Sequence, residues 1–124
     1  MNRRNMLKML GAALLLPAGA VAAPRRKGVM LMNRIGPSVS QLYLANADGS
    51  DERPFMTGDG LDYHASFAPD GQSILFTSER NGPGQADIFR ARLDGTGIAP
   101  LVSHPSVDDA AALSPDGTRL AFVS

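Results

Sequence analysis

The fold turns on Phe67-Ala68-Pro69-Asp70-Gly71-Gln72-Ser73-Ile74-Leu75-Phe76, which returns as Leu113-Ser114-Pro115-Asp116-Gly117-Thr118-Arg119-Leu120-Ala121-Phe122. Each copy is an apolar strand end, a Pro-Asp-Gly turn and a second strand with apolar residues at alternating positions. Proline pre-sets φ at the first corner of the turn. Aspartate bonds to nearby backbone, and glycine accepts the positive φ that closes a hairpin. Pro69, Asp70, Gly71, Pro115, Asp116 and Gly117 are therefore read as turn formers rather than as a site.

The two turns are 46 residues apart (116 − 70), and the same offset separates Asp48 from Asp94, Pro37 from Pro83 and Pro54 from Pro100. Residues 28–78 thus lie on residues 74–124 without a gap, matching Arg34 to Arg80, Gly36 to Gly82, Gly49 to Gly95 and Asp62 to Asp108. One unit reads as four short strands: Tyr63 to Ala68, Gln72 to Ser78, Ala86 to Arg92 and Ile98 to Val102. Ile74 and Phe76 fall on one face of the second strand, and Ser73, Leu75 and Thr77 on the other, a period of two. Pro100 suits an outer edge strand, where no ladder amide is needed. Four antiparallel strands in 40 to 50 residues make one blade of a β-propeller, an all-β fold.

The residues also carry a family likeness. Pro69, Asp70, Gly71, Phe76, Ser78, Arg80, Gly82, Ile88, Phe89, Asp94 and Gly95, with Ser114, Pro115, Asp116, Gly117, Phe122 and Ser124 in the second copy, resemble the TolB-like propeller repeat, also called the WD40-like Pro-Asp repeat. The resemblance implies a six-bladed ring and covers nearly everything from Gly28 onward. Residues 28–57 supply three strands of a partial blade, 63–102 a full blade and 109–124 the start of the next, about two and a half blades in all. The chain is thus expected to be the N-terminal part of a longer protein. The alternative is a short chain that completes a ring by self-association. A blade buries its faces against its neighbours, so the mature chain alone is expected to be unstable or oligomeric.

The N-terminus reads as an address. Residues 1–22 form a signal peptide, with Arg3, Arg4 and Lys8 before an apolar run and Ala20-Val21-Ala22 fitting cleavage after Ala22. The apolar run is shorter than the roughly 20 residues a membrane-spanning helix needs, so no permanent anchor is expected. Asn2-Arg3-Arg4-Asn5-Met6-Leu7-Lys8 resembles the twin-arginine consensus, departing from it at the first position and at Met6. Residues 23–27 form a basic linker, and Arg25, Arg26 and Lys27 just past the cleavage point are tolerated on that route and hinder the general secretory one. An ordinary secretory signal is the competing reading. The expected partner in export is the twin-arginine translocase, and the expected destination is the periplasm or the exterior of a bacterium or archaeon.

Composition excludes several chemistries. There is no cysteine, hence no disulfide, thiolate metal site or cysteine nucleophile. Without Arg3, Arg4 and Lys8, nine basic side chains face twelve acidic ones, so no nucleic-acid partner is expected. The run Asn46-Ala47-Asp48-Gly49-Ser50-Asp51-Glu52 clusters oxygen ligands but lacks the spacing of a calcium loop, and is read as a hairpin turn. His64 sits beside Asp62 at the start of an inner strand, next to the channel of a propeller. A channel-facing histidine could bind a ligand or metal. With no Glu or Cys at ligand spacing, it is read as structural or solvent-facing. Asp62 and Asp108 recur, either as carboxylates at the channel mouth or as caps on the backbone entering the first strand, and capping is the reading taken. His104 precedes Pro105 and reads as loop. No cofactor is expected, and no nucleophile elbow, phosphate loop or metalloprotease motif occurs.

The leading functional reading is a non-catalytic module that binds a protein or small ligand at the channel mouth. The resemblance also allows the N-terminal propeller of a prolyl-oligopeptidase-like serine peptidase with its catalytic domain elsewhere. A third reading is a propeller enzyme, such as a polysaccharide lyase, with its site in the channel.

Overall fold

The computed structural model describes residues 28–58 and 60–124. The leader with Arg3 and Arg4, the cleavage point after Ala22 and the basic linker lie outside the described residues. Among the described residues nine strands form: β1 (Val29–Ile35), β2 (Ser40–Asn46), β3 (Arg53–Pro54), β4 (Asp62–Phe67), β5 (Ser73–Ser78), β6 (Asp87–Arg92), β7 (Ala99–Val102), β8 (Asp109–Leu113) and β9 (Leu120–Val123). They make three antiparallel sheets in the orders β1-β2-β3, β4-β5-β6-β7 and β8-β9. The expected all-β partial propeller is the fold found.

The hairpins close as their residues dictate. The Gly71 amide donates to the Ala68 carbonyl at 2.9 Å, and the Gly117 amide to the Ser114 carbonyl at 2.8 Å. Asp70 Oδ1 accepts the Gln72 amide at 2.9 Å, and Asp116 Oδ1 accepts the Thr118 amide at 3.0 Å. The turns between third and fourth strands repeat this device. Asp48 Oδ1 accepts the Ser50 amide and Asp94 Oδ1 the Thr96 amide, each at 2.9 Å. Hydrogen bonds from Ser114 and Thr118 hold the Asp116 carboxyl at about 2.

Period-two alternation splits the middle sheet between two cores. Ile74, Phe76, Phe89 and Ala91 pack with Leu42 and Leu44 of the first sheet and with Phe55, which follows β3. Leu75 and Ile88, one residue out of phase, pack with Ala68 and with Ala111 of the third. Every residue of β5 is buried. Each such Phe, Leu or Ile contributes about 1.5 to 3 kcal/mol by leaving water. The Phe76 and Phe89 rings stack at a centroid distance of 5.9 Å. The equivalent prolines Pro54 and Pro100 both lie in the outermost strands, β3 and β7.

One feature of the inner strands carries no sequence marker. The pairing of β4 with β5 shifts register between Tyr63 and Ser66, and that of β8 with β9 between Asp109 and Ala112, the same places in the repeat. At each bulge a non-glycine residue is left-handed, His64 at φ 46° and Ala110 at φ 53°. The extra residue bends the strand and redirects its side chains.

Two glycines separate the cost of backbone geometry from that of crowding. Gly71 has φ +64° with open space where a Cβ would stand, whereas at Gly95 (φ +80°) a Cβ would lie 2.5 Å from the Phe55 carbonyl oxygen. Urea unfolding followed by circular dichroism is expected to show a loss of about 1 kcal/mol for Gly71→Ala, from the left-handed conformation alone. Gly95→Ala is expected to lose about 3 kcal/mol, because the seam between first and second sheets must also open. Equal losses would show that the Gly95 contact is not a constraint.

Candidate functional site

Antiparallel order puts the β4–β5 and β6–β7 turns at one end of the sheets. The β5–β6 loop and the segments leading into β4 and β8 lie at the other. The aspartates of the turns are thereby separated from Asp62, His64, His104, Asp108 and Asp109, which gather towards the loop end.

Asp62 opens β4 and is buried. Its Oδ1 accepts Arg80 Nη2 at 3.0 Å, while Arg80 Nε donates to Ser78 Oγ at 2.9 Å. The guanidinium lies over the Phe76 and Phe89 rings, 5.1 and 4.9 Å from their centroids. The Asp62 carbonyl accepts Ser40 Oγ at 2.9 Å and Asn33 Nδ2 at 3.1 Å, which ties the first sheet to the second. Its carboxylate therefore serves a side chain, where a backbone cap was expected. Asp108 does cap backbone. It is fully buried, and its Oδ2 accepts the His104 amide at 3.0 Å and His104 Nδ1 at 2.9 Å. Burial pushes the Asp108 carboxyl up, but the hydrogen bonds from His104 and Ser124 and the His104 charge outweigh it and hold it below its ordinary value.

His64 projects from the bulge in β4 and meets a residue that repeat reasoning passed over. Its Nδ1 lies 2.8 and 3.0 Å from the two carboxylate oxygens of Asp109, the first residue of β8. Asp109 Oδ1 also accepts Thr77 Oγ1 of β5 at 2.7 Å and the Ala110 amide at 2.6 Å. One carboxylate thus joins β4, β5 and β8. Burial pushes the Asp109 carboxyl up, yet the bonds from His64, Thr77 and the Ala110 amide, with the His64 charge, leave it below its ordinary value. A second tie runs from Ser66 Oγ to the Ala111 carbonyl at 2.8 Å. The His64 ring stands edge-on to Tyr63 at 5.2 Å. With Nδ1 held by Asp109 and the side chain largely exposed, Nε2 is the ring nitrogen left for a visitor.

Two open cavities flank these residues. One of about 370 Å³ is lined by Asn33, Ile35, Val39, Leu61, Tyr63 and His64. The other, of about 460 Å³, is lined by Met56, Asp62, Glu79, Arg80, Asn81 and Pro83. Among the described residues, no group of three acidic or histidine side chains is placed to hold a metal ion. The oxygen-rich run at 46–52 is dispersed. Asp48 Oδ1 takes the Ser50 amide and hydroxyl, Asp51 pairs with Arg53, and Glu52 pairs with Arg34.

Sequence reasoning noticed the recurrence of both Asp62 and Arg80 without joining them. It missed Asp109 and Thr77. The doublet Asp108-Asp109, with one acid recurring and one not, was the available signal.

Arg80→Ala is expected to cost about 2 kcal/mol in urea unfolding, because Asp62 loses its partner in a partly buried setting. Arg80→Lys should recover less than half of that, since an ammonium cannot serve the carboxylate, Ser78 and two rings together. Full rescue by lysine would reduce the interaction to simple charge. Because Asp109 is depressed in the fold, its stabilisation is present above the unfolded value near 3.9 and is lost as pH falls through the folded value. Asp109→Asn should therefore flatten the acid limb of the stability profile below about pH 4. An unchanged limb would refute the assignment.

No protein-family model matches the chain, and no curated protein does. Solved structures do. A protein of Agrobacterium tumefaciens assigned as a TolB matches with a TM-score of 0.68 and 28% identity, over 76% of this chain and 33% of that one. The crystal structure of TolB from Acinetobacter baumannii matches with a TM-score of 0.67 and 25% identity, over 78% of this chain and 24% of that one. The chain spans a third or less of these structures, and over that span it has the blade architecture of the TolB propellers.

Proposed function

We propose that this chain is a blade segment of an exported TolB-like propeller that works in the cell envelope as a non-catalytic protein-binding module, with its loop end as the contact face. The observation that carries the reading is the state of the loop-end acids. Asp62, Asp108 and Asp109 are each engaged by Arg80, His104 and His64 respectively, across or within the sheets. They brace a surface. What that surface offers a visitor is two open cavities flanked by loops and the outer nitrogen of His64. The likeness to solved TolB structures supports the envelope setting, and the twin-arginine-like leader supports export in the folded state.

The test uses the full chain with its leader, produced in a bacterium with a twin-arginine pathway. A photo-crosslinking residue is placed at Ser38 or Pro83 at the loop end, or at Thr118 beside a Pro-Asp-Gly turn. Discrete protein adducts in the envelope fraction are expected from the loop-end positions and not from Thr118. Replacing Arg3 and Arg4 together with lysine should leave the precursor in the cytoplasm. Adducts of equal yield from both ends, or export indifferent to the arginine pair, would overturn the corresponding half of the proposal.

A further inference from the structure

Asp62, Ser78 and Asp87 stand in one row across β4, β5 and β6. Asp62 pairs with Ser78, and Ser78 pairs with Asp87. Cross-strand partners share a face, and so do residues two apart on a strand. The row therefore lies on the face that carries Phe76 and Phe89 towards the first sheet. All three residues are buried, Asp87 at 1% exposure.

Two members of the row are served and the third is not. Arg80 donates to both Asp62 and Ser78. Asp87 Oδ2 accepts the Asn81 side-chain amide at 2.7 Å. Among the described residues, Asp87 Oδ1 is the buried side-chain polar atom without a hydrogen-bond partner. Asp62, Asp108 and Asp109 each face a basic side chain. Asp87 meets only the neutral amide of Asn81. A buried acceptor left unmade is costly, and a carboxylate without a countercharge more so. A water molecule would supply a donor but no countercharge.

The cavity of about 460 Å³ lies against this row. Asp62 and Asn81 line it, together with Met56, Glu79, Pro83 and Ile98. Asn81 is exposed, and exposed side chains change rotamer within nanoseconds. Its amide is thus a movable cover between the cavity and Asp87. Three acids, Asp62, Glu79 and Asp87, stand against one base, Arg80, which is already held by Asp62, Ser78 and two aromatic rings. An excess of negative charge selects a cation. The walls decide which kind. Among the described residues no three acids or histidines converge to hold a metal ion. A single unpartnered oxygen suits the point charge of an ammonium better than the planar fork of a guanidinium. Met56, Pro83 and Ile98 offer apolar surface to an alkyl stem.

We propose that this cavity receives a lysine side chain of the partner protein. Its methylenes lie against Met56, Pro83 and Ile98, and its ammonium donates to Asp87 Oδ1 once Asn81 swings aside. The inference rests on the binding-module reading for the origin of the lysine, and it names the anchor that the loop end accepts.

The probe is lysine blocked as its N-acetyl methylamide, titrated into the purified full chain carrying isotope-labelled aspartate and methionine. The carboxyl resonance of Asp87 and the methyl resonance of Met56 are expected to move together, while the carboxyl of Asp116 at the turn end stays in place. The norleucine analogue keeps the stem without the ammonium and should bind about tenfold more weakly. The lysine probe should lose about as much on Asp87→Asn. Asn81→Ala should bind the probe more tightly, because no cover has to move, and it tests the site even if Asp87→Asn fails to fold. The proposal is overturned if millimolar blocked lysine leaves Asp87 unmoved, or if the norleucine analogue binds equally well. It is equally overturned if calcium chloride moves the Asp87 resonance and the lysine probe does not, which would mark a metal site. In the cell, adducts from the crosslinker at Pro83 should weaken with Asp87→Asn. Undiminished adducts would overturn the lysine anchor and leave the binding-module reading standing. Binding of the blocked lysine without any Pro83 adduct would overturn the partner protein as its source and leave a site for a free amine.

Discussion

Everything in this fold depends on β5 having a neighbour on both faces. Ile74 and Leu75 are adjacent in the chain and fully buried, yet they belong to different cores. A strand whose alternate residues point into two hydrophobic layers cannot be satisfied by its own sheet. It needs Leu42, Leu44 and Phe55 on one side and Ala111 on the other. Blade stacking therefore supplies a part of the stability that no sheet can supply by itself. The charged contacts follow the same seams. Arg80 closes over the rings of the first core, and Asp109 sits at the junction with the third sheet.

Much of this was legible in the chain because the repeat is an arithmetic fact. A constant offset turned one Pro-Asp-Gly hairpin into a blade, and period-two alternation around Ile74 and Phe76 predicted which side chains share a face. Pro100 at an outer edge followed from the missing amide alone. The bulges at His64 and Ala110 were not legible, because histidine and alanine carry no mark of a left-handed backbone. Glycine would have announced them. The site was harder still. Pairing of His64 with Asp109 spans 45 residues and two sheets, and it joins positions at which the units differ. Reasoning from what recurs discards such positions by construction. Asp62 and Arg80 were each seen to recur, but their contact crosses a hairpin, and recurrence alone does not say which residues meet.

The loop end and the turn end illustrate two uses of aspartate. Asp48, Asp70, Asp94 and Asp116 each accept a backbone amide two residues on, so they shape the chain locally. Asp62 and Asp109 accept from side chains far along the chain, and they shape the relation between strands and sheets. The residue type is the same. What differs is whether the carboxylate meets its own turn first.

The contact between His64 and Asp109 has a consequence for assembly. Repeated units face an ambiguity that a single domain does not, since each offers a similar apolar face to its neighbours. Hydrophobic packing rewards adjacency without reading which unit is adjacent. Tyr63 and Ala110 occupy in their own units the places that Asp109 and His64 hold in the neighbouring ones, so a sheet docked out of order meets no matching pair. The bond joins unlike positions of the two units, so it marks the seam between the second and third sheets in a way that the apolar packing there does not.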